Sequence, residues 1–227
     1  MKQTFKSALI STIPVLTGYL VLGFGFGIIL KSAGFGILPA VAMSVLIYAG
    51  SMQYVAVGLL TGGASLLTVA LTTFAVNARH LFYGISMLDT YKDMGTIKPY
   101  LIFSLTDETY SLLCTGAPEI PSNRKKQYFF LVSLLNHAYW VLGTLAGAVI
   151  GALISFNSEG IAFALTALFL TVFIEQWMSS KKHAPAIFGV LISLLCLVIF
   201  GSAHFLIPTM IGIALVLSFY SEGKRHV

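Results

Sequence analysis

The chain has 227 residues, 57% of them hydrophobic and only 9% charged, with a mean hydropathy of +0.91, which excludes an ordinary soluble domain, where about a quarter of residues carry charge. At about 20 residues per span the length allows roughly seven or eight membrane segments and no separate soluble domain, so one membrane domain over residues 1–227 is expected. The net charge of +5 comes from 13 Lys and Arg gathered at segment ends, a pattern that sets membrane orientation and excludes a nucleic-acid surface.

Lys2 and Lys6 precede a first apolar segment, residues 10–30, that is long for a signal sequence and shows no cleavage site, so a retained span is expected. It carries Pro14 and the ladder Gly23, Gly25, Gly27, whose Gly23/Gly27 pair allows close approach of a neighbouring helix. Segment two, residues 38–60, is interrupted at mid-depth by Tyr48-Ala-Gly-Ser51-Met-Gln53. Such an interruption is either a tolerated kink or a break whose freed backbone groups line a solute site.

Segment three contains Phe74-Ala-Val-Asn77-Ala-Arg79-His80-Leu-Phe-Tyr83-Gly84. A charge left unpaired at bilayer depth costs several kcal/mol, so Arg79 needs a compensating partner. Asn77, His80 and Gly84 lie at i, i+3, i+7, with Arg79 and Tyr83 on the adjacent stripe, and the shared sector is expected to face a protein-lined cavity. Residues 100–115 are short for a span and contain Leu105-Thr-Asp107-Glu108. A short or re-entrant helix is expected there, with Ser104, Asp107, Ser111 and Cys114 on one face and Glu108 about 100° away. The loop 116–127 is the longest basic connection.

Segment five, residues 129–154, opens with Asn136-His137-Ala-Tyr139-Trp140 and continues through Gly143, Gly147 and Gly151. Segment six, residues 160–178, closes with Glu175-Gln176-Trp177. Segments seven (185–200) and eight (204–220) are nearly featureless. Cys114 and Cys196 sit among apolar residues, where buried free thiols are expected.

Tyr19-Leu-Val-Leu-Gly23-xxx-Gly27 matches Tyr139-Trp-Val-Leu-Gly143-xxx-Gly147 at an offset of 120, and Gln53 and Gln176 correspond at 123. Two related halves, 1–116 and 127–227, are therefore expected, with a site between them. The fold class expected is all-α and polytopic: seven spanning helices plus one short or re-entrant helix, or alternatively eight spans. The charge bias of the two topologies nearly ties. The seven-span arrangement, slightly preferred, makes the internal repeat inverted.

The intramembrane acids that can balance Arg79 are Asp107, Glu108 and Glu175, with Asp107 and Glu108 the better placed. A static ion pair that orders the bundle is one reading. The other is a zwitterion site, in which Arg79 holds a carboxylate and Asp107 an ammonium, while His80 or an acid couples movement to protons. The substrate-binding or proton-coupling candidates are thus Asn77, Arg79, His80, Tyr83, Asp107, Glu108, Gln53, Ser51 and Tyr48. Asn136, His137, Tyr139, Trp140 and Gln176 are second-half candidates. Neither His-Glu-x-x-His nor Gly-x-Ser-x-Gly occurs, so no enzyme, metal or cofactor is expected.

Ala49-Gly-Ser-Met-Gln53, Val76-Asn-Ala-Arg-His80 with Tyr83-Gly84, Leu105-Thr-Asp-Glu108, and Tyr139-Trp140 leading into Gly143-Thr144 and Gly147 resemble, over nearly the whole chain, the AzlC-type large subunit of two-component branched-chain amino acid exporters. The resemblance implies proton-coupled export of leucine, isoleucine, valine and similar apolar amino acids such as methionine across a bacterial plasma membrane. It also implies a small multi-span partner subunit of the AzlD type. Glu175 has no place in the family pattern. The competing reading is a structural or channel subunit whose partner holds the substrate site.

Overall fold

The computed structural model describes residues 2–114, 116–117, 119–153, 170, 173–174, 177–178, 183–205, 208–209, 211–213 and 215–216. Gln176 and Glu175, most of segment six, much of segment eight and the C-terminal tail lie outside the described residues. Among the described residues all regular structure is helical. The helices are α1 (Lys2–Ser32), α2 (Ile37–Leu46), α3 (Gly50–Thr61), α4 (Leu66–Ser86), α5 (Lys98–Phe103), α6 (Asp107–Leu113), α7 (Ser122–Leu153) and α8 (Ala184–His204), with a 3-10 turn at Gly95–Ile97. α1, α7 and residues Ala184–Gly201 of α8 are long and apolar enough to cross a membrane.

The chain forms two compact units, Met1–Ala64 with Val76–Ala162 and Ser65–Ala75 with Phe163–Val227. In the second, α8 bends at Gly201, whose φ of 70° lies in the left-handed region. A cavity of about 630 Å³ is lined there by residues that include Trp177, His183 and Ile213. Trp177 and His183 stack with ring centroids 4.2 Å apart.

The first unit is built on α1 and α7. Partners along the two helices rise together in number: Gln3 with Arg124, Ser11 with Tyr128, Gly23 with Gly143, Gly27 with Gly147. The helices therefore run parallel. A methyl added to Gly23 would stand 2.7 Å from the Trp140 carbonyl oxygen, and one added to Gly143 would stand 2.7 Å from the Leu20 carbonyl oxygen. Likewise, methyls on Gly27 and Gly147 would overlap the carbonyl oxygens of Thr144 and Phe24. Trp140 and Thr144 are Leu20 and Phe24 shifted by 120, so the matched sequences exchange roles across a pseudo-twofold seam. Only glycine permits this backbone contact. The two helices that carry the matched sequences are thus parallel and not inverted relative to one another: residues 33–121 bring the chain back to the end of α1 from which it began.

The intervening path explains how. Segment two is not one span. α2 ends at Leu46, Tyr48 takes a left-handed φ of 46°, and α3 begins at Gly50. Gln53 Nε2 then donates to Ser44 Oγ at 3.1 Å across the break, although nine residues of continuous helix would separate them by about 13 Å. The Tyr54 hydroxyl donates to the Leu22 carbonyl, and its ring lies 5.7 Å from that of Phe26. Both contacts lie further along α1 than Tyr19, which Tyr48 meets at 6.4 Å. The chain has turned back, and the tip of this turn is Tyr48–Ala49.

Residues 100–115 also form two helices, so the stripe expected through Ser104, Asp107, Ser111 and Cys114 is broken. α5 stops at Phe103, and α6 begins after Thr106, whose side chain caps it by accepting from the Thr109 amide at 3.3 Å. Tyr100 packs on Phe130 and Phe103 on His137, whereas Asn136 meets Thr109 and Leu113 returns to the apolar cluster of Tyr128, Phe129 and Val132. This turn enters from the end of α7 opposite to the one from which α2 enters, and its tip is Ser104–Thr106. Cys196 is buried as expected, but Cys114 is exposed, because α6 ends beside it instead of carrying it into a continuous helix.

Candidate functional site

The tips of the two turns meet beside α4. Arg79 of α4 pairs with Asp107 in the first turn of α6, Nη1 to Oδ2 at 2.5 Å, and donates from Nη2 to Ser51 Oγ in the first turn of α3 at 2.8 Å. Three helices are thereby joined by one guanidinium. The pair is only partly covered, with side-chain exposures of 36% and 30%, and each partner keeps an unused atom. Arg79 Nε and Asp107 Oδ1 are buried without a hydrogen-bond partner, as is Asn77 Oδ1. A buried donor and a buried acceptor left open side by side are uncommon, since each forgoes about 1–3 kcal/mol of hydrogen bonding.

Aromatic rings flank the pair. Tyr83 stacks on Tyr110 with centroids 4.6 Å apart, His80 meets the edge of Tyr83 at 5.9 Å, and the Tyr110 hydroxyl lies 2.9 Å from Ser86 Oγ. Asp107 and Glu108 diverge as their helical spacing requires. Glu108 Oε2 accepts from the Tyr19 hydroxyl at 2.6 Å, and that hydroxyl lies 2.6 Å from Thr106 Oγ1. Tyr48 sits against His137 at a ring distance of 4.2 Å, its own hydroxyl buried toward Tyr19 and Thr106.

The remaining candidates hold the turns in place. Gln53 is fully buried; Trp140 Nε1 donates to its Oε1 at 2.9 Å, and Ser44 Oγ, which takes the Gln53 amide, donates to Thr144 Oγ1 at 2.8 Å. The His137 ring bridges the Ser44 carbonyl and the Tyr100 hydroxyl, both at 3.2 Å. Asn136 Nδ2 donates to Thr109 Oγ1 at 3.0 Å. Tyr139 lies apart from the ion pair: its hydroxyl meets Thr12 Oγ1 at 3.1 Å in the α1/α7 seam. The structure therefore gathers Arg79, Asp107, Ser51, His80 and Tyr83, sets Glu108 and Tyr48 beside them, leaves Asn77 Oδ1 buried on α4 without a partner, and uses Gln53, Asn136, His137 and Trp140 as supports.

Tyr19, Thr106, Ser44 and Tyr110 belong to this assembly but were not among the sequence candidates. Thr106 was readable: a threonine followed by two acids is an N-cap signature. Tyr19 and Ser44 carry no local signal, because only the turned-back segments bring them to their partners.

Residues 14–154, which contain every residue of this assembly, match the family described as AzlC protein. The chain is 46% identical over 215 residues to the branched-chain amino acid transport protein AzlC of Bacillus subtilis, covering 94% of this chain and 84% of that one. It is 43% identical over 218 residues to an uncharacterized membrane protein of Haemophilus influenzae, 95% of this chain and 88% of that one. Inner membrane protein YgaZ of Escherichia coli is 28% identical over 216 residues, 92% of this chain and 85% of that one. No solved structure matches the chain.

Proposed function

Because this chain belongs to the AzlC family and is a multi-pass membrane protein, we propose that it exports branched-chain and similar apolar amino acids, methionine among them, across a bacterial plasma membrane. The whole chain acts as one transport domain, the large subunit of a two-component system with a small multi-span partner. Export is driven by protons. The observation that carries this reading is the half-covered Arg79–Asp107 pair with its unused Nε and Oδ1 at the meeting point of two broken segments. Secondary transporters place zwitterion sites in such discontinuities, where helix ends supply partial charges. α3 opens there without a side-chain cap, so its first-turn amides add positive potential for a carboxylate. The rings of Tyr83 and Tyr110 offer an apolar surface for the substrate's side chain.

In this reading α1 crosses, α2–α3 enters and returns, α4 crosses back, α5–α6 enters from the other face, and α7 crosses parallel to α1. The test is efflux of leucine from preloaded vesicles holding this protein, with and without the small partner and a pH gradient. Leucine efflux that requires both subunits and rises with the gradient supports the reading. Full efflux by Arg79→Ala refutes the site assignment, and leucine binding only to the partner, measured by thermal shift in detergent, would move the site out of this chain.

A further inference from the structure

Asp107 and Glu108 are adjacent in the first turn of α6, yet their partners differ in kind. Asp107 faces the Tyr83 hydroxyl and, through Oδ2, a guanidinium, which has donors and no acceptor, so that oxygen is satisfied only as part of a carboxylate. Glu108 faces hydroxyls. Its Oε2 takes the Tyr19 hydroxyl at 2.6 Å, Tyr19 Oη lies 2.6 Å from Thr106 Oγ1, and Thr106 continues to Thr109 Oγ1 at 3.1 Å. The buried hydroxyl of Tyr48 borders the same cluster, facing Tyr19 and Thr106.

Each hydroxyl can donate or accept. The cluster therefore satisfies an ionised Glu108 by donating to it. It satisfies a protonated Glu108 by accepting from it while Tyr19 turns its own proton toward Thr106, whose proton goes on to Thr109 Oγ1. The titratable and charged groups facing Glu108 are Tyr19 from α1, Tyr48 from the first turn, Arg79 and Tyr83 from α4, and Asp107 beside it. The one cation among them is already matched by Asp107.

We propose that Glu108 is the proton-carrying group of this transporter and Tyr19 its positioning residue, while Arg79 and Asp107 hold the substrate. The proposal rests on the transport reading above. In each cycle the Glu108 carboxylate takes one proton from water on one face and returns it to water on the other; only an O–H bond forms and breaks.

The experiment compares two fluxes of the full chain with its partner subunit in phosphatidylethanolamine/phosphatidylglycerol vesicles: leucine–leucine exchange at equal pH, and net leucine movement driven by a pH gradient. Glu108→Gln is expected to lower the ratio of driven flux to exchange by about tenfold or more, and Asp107→Asn to lower both fluxes together. Tyr19→Phe is expected to move the pH of half-maximal driven flux. A Glu108→Gln protein whose ratio is unchanged, or whose two fluxes fall by the same factor, overturns the assignment. Should that variant fail to insert, an unshifted pH profile in Tyr19→Phe overturns it instead. Absence of both fluxes in the unmodified protein overturns the transport reading itself, and with it this assignment.

Discussion

Arg79 is anchored from two elements, by Asp107 of α6 and Ser51 of α3, and the two contacts separate stability from function. Removing the guanidinium alone leaves Asp107 unpaired; because the pair is partly exposed, the cost is about 1 kcal/mol and not the larger figure of a dry ion pair. Arg79→Gln should therefore lower the melting temperature in detergent, and Arg79→Gln with Asp107→Asn should recover most of the loss. Neither should transport leucine, because neither keeps the guanidinium that would hold the substrate's carboxylate. Recovery of transport in the double variant would show that the pair only orders the bundle. Gln53 is a different case: both ends of its amide are used, by Ser44 and Trp140, in a fully buried position. Gln53→Leu should destabilise by on the order of 1–3 kcal/mol through the orphaned indole N–H. Its melting curve should shift more than that of Ser51→Ala, which leaves Arg79 its carboxylate.

At the scale of elements, the α1/α7 seam depends on backbone touching backbone. A methyl on Gly147 would meet the Phe24 carbonyl, carbonyl carbon and Cα together, none of which can rotate away. Gly147→Ala should cost about 1–3 kcal/mol by overpacking. Gly18→Ala, with open space around its added carbon, should be neutral or slightly stabilising in the same melting assay. Equal effects would mean that the seam is not closed in the membrane. The turns are held otherwise: α6 by its Thr106 cap, α3 by Gln53 and by Gly50 lying against the Trp140 ring. Thr106→Ala removes both the cap and a neighbour of Tyr19, so a loss of about 1 kcal/mol is expected, together with weaker gradient-driven flux.

For the molecule as a whole, parallel packing of α1 and α7 places the starts of both helices on one face of the membrane. In a background with the exposed Cys114 replaced by serine, cysteines introduced at Gln3 and Asn123 should react with a membrane-impermeant maleimide added from the same side. A cysteine at Phe35 should react only from the other. Labelling of the first two from opposite faces would discard the parallel arrangement and restore an inverted one.

Much of this was legible in one dimension. The membrane class follows from composition, because a chain with so few charges cannot cover itself for water. Arg79 and its acids stand out because each is expensive at bilayer depth. Gly23, Gly27, Gly143 and Gly147 announce close helix contact by their spacing. Hydropathy, however, scores depth and not direction: a segment that crosses and one that enters and turns back are equally apolar, so the interruption in segment two reads equally as a kink or as a break. For the same reason the matched sequences could be read, but the relative direction of the helices that carry them could not. Direction depends on contacts between residues 117 to 121 positions apart, the meeting of the two tips on contacts 28 positions to either side of Arg79, and the recruitment of Tyr19 and Ser44 on contacts 89 and 100 positions apart. No local pattern encodes such contacts, so those features were decided only when the folded chain closed α1 against α7.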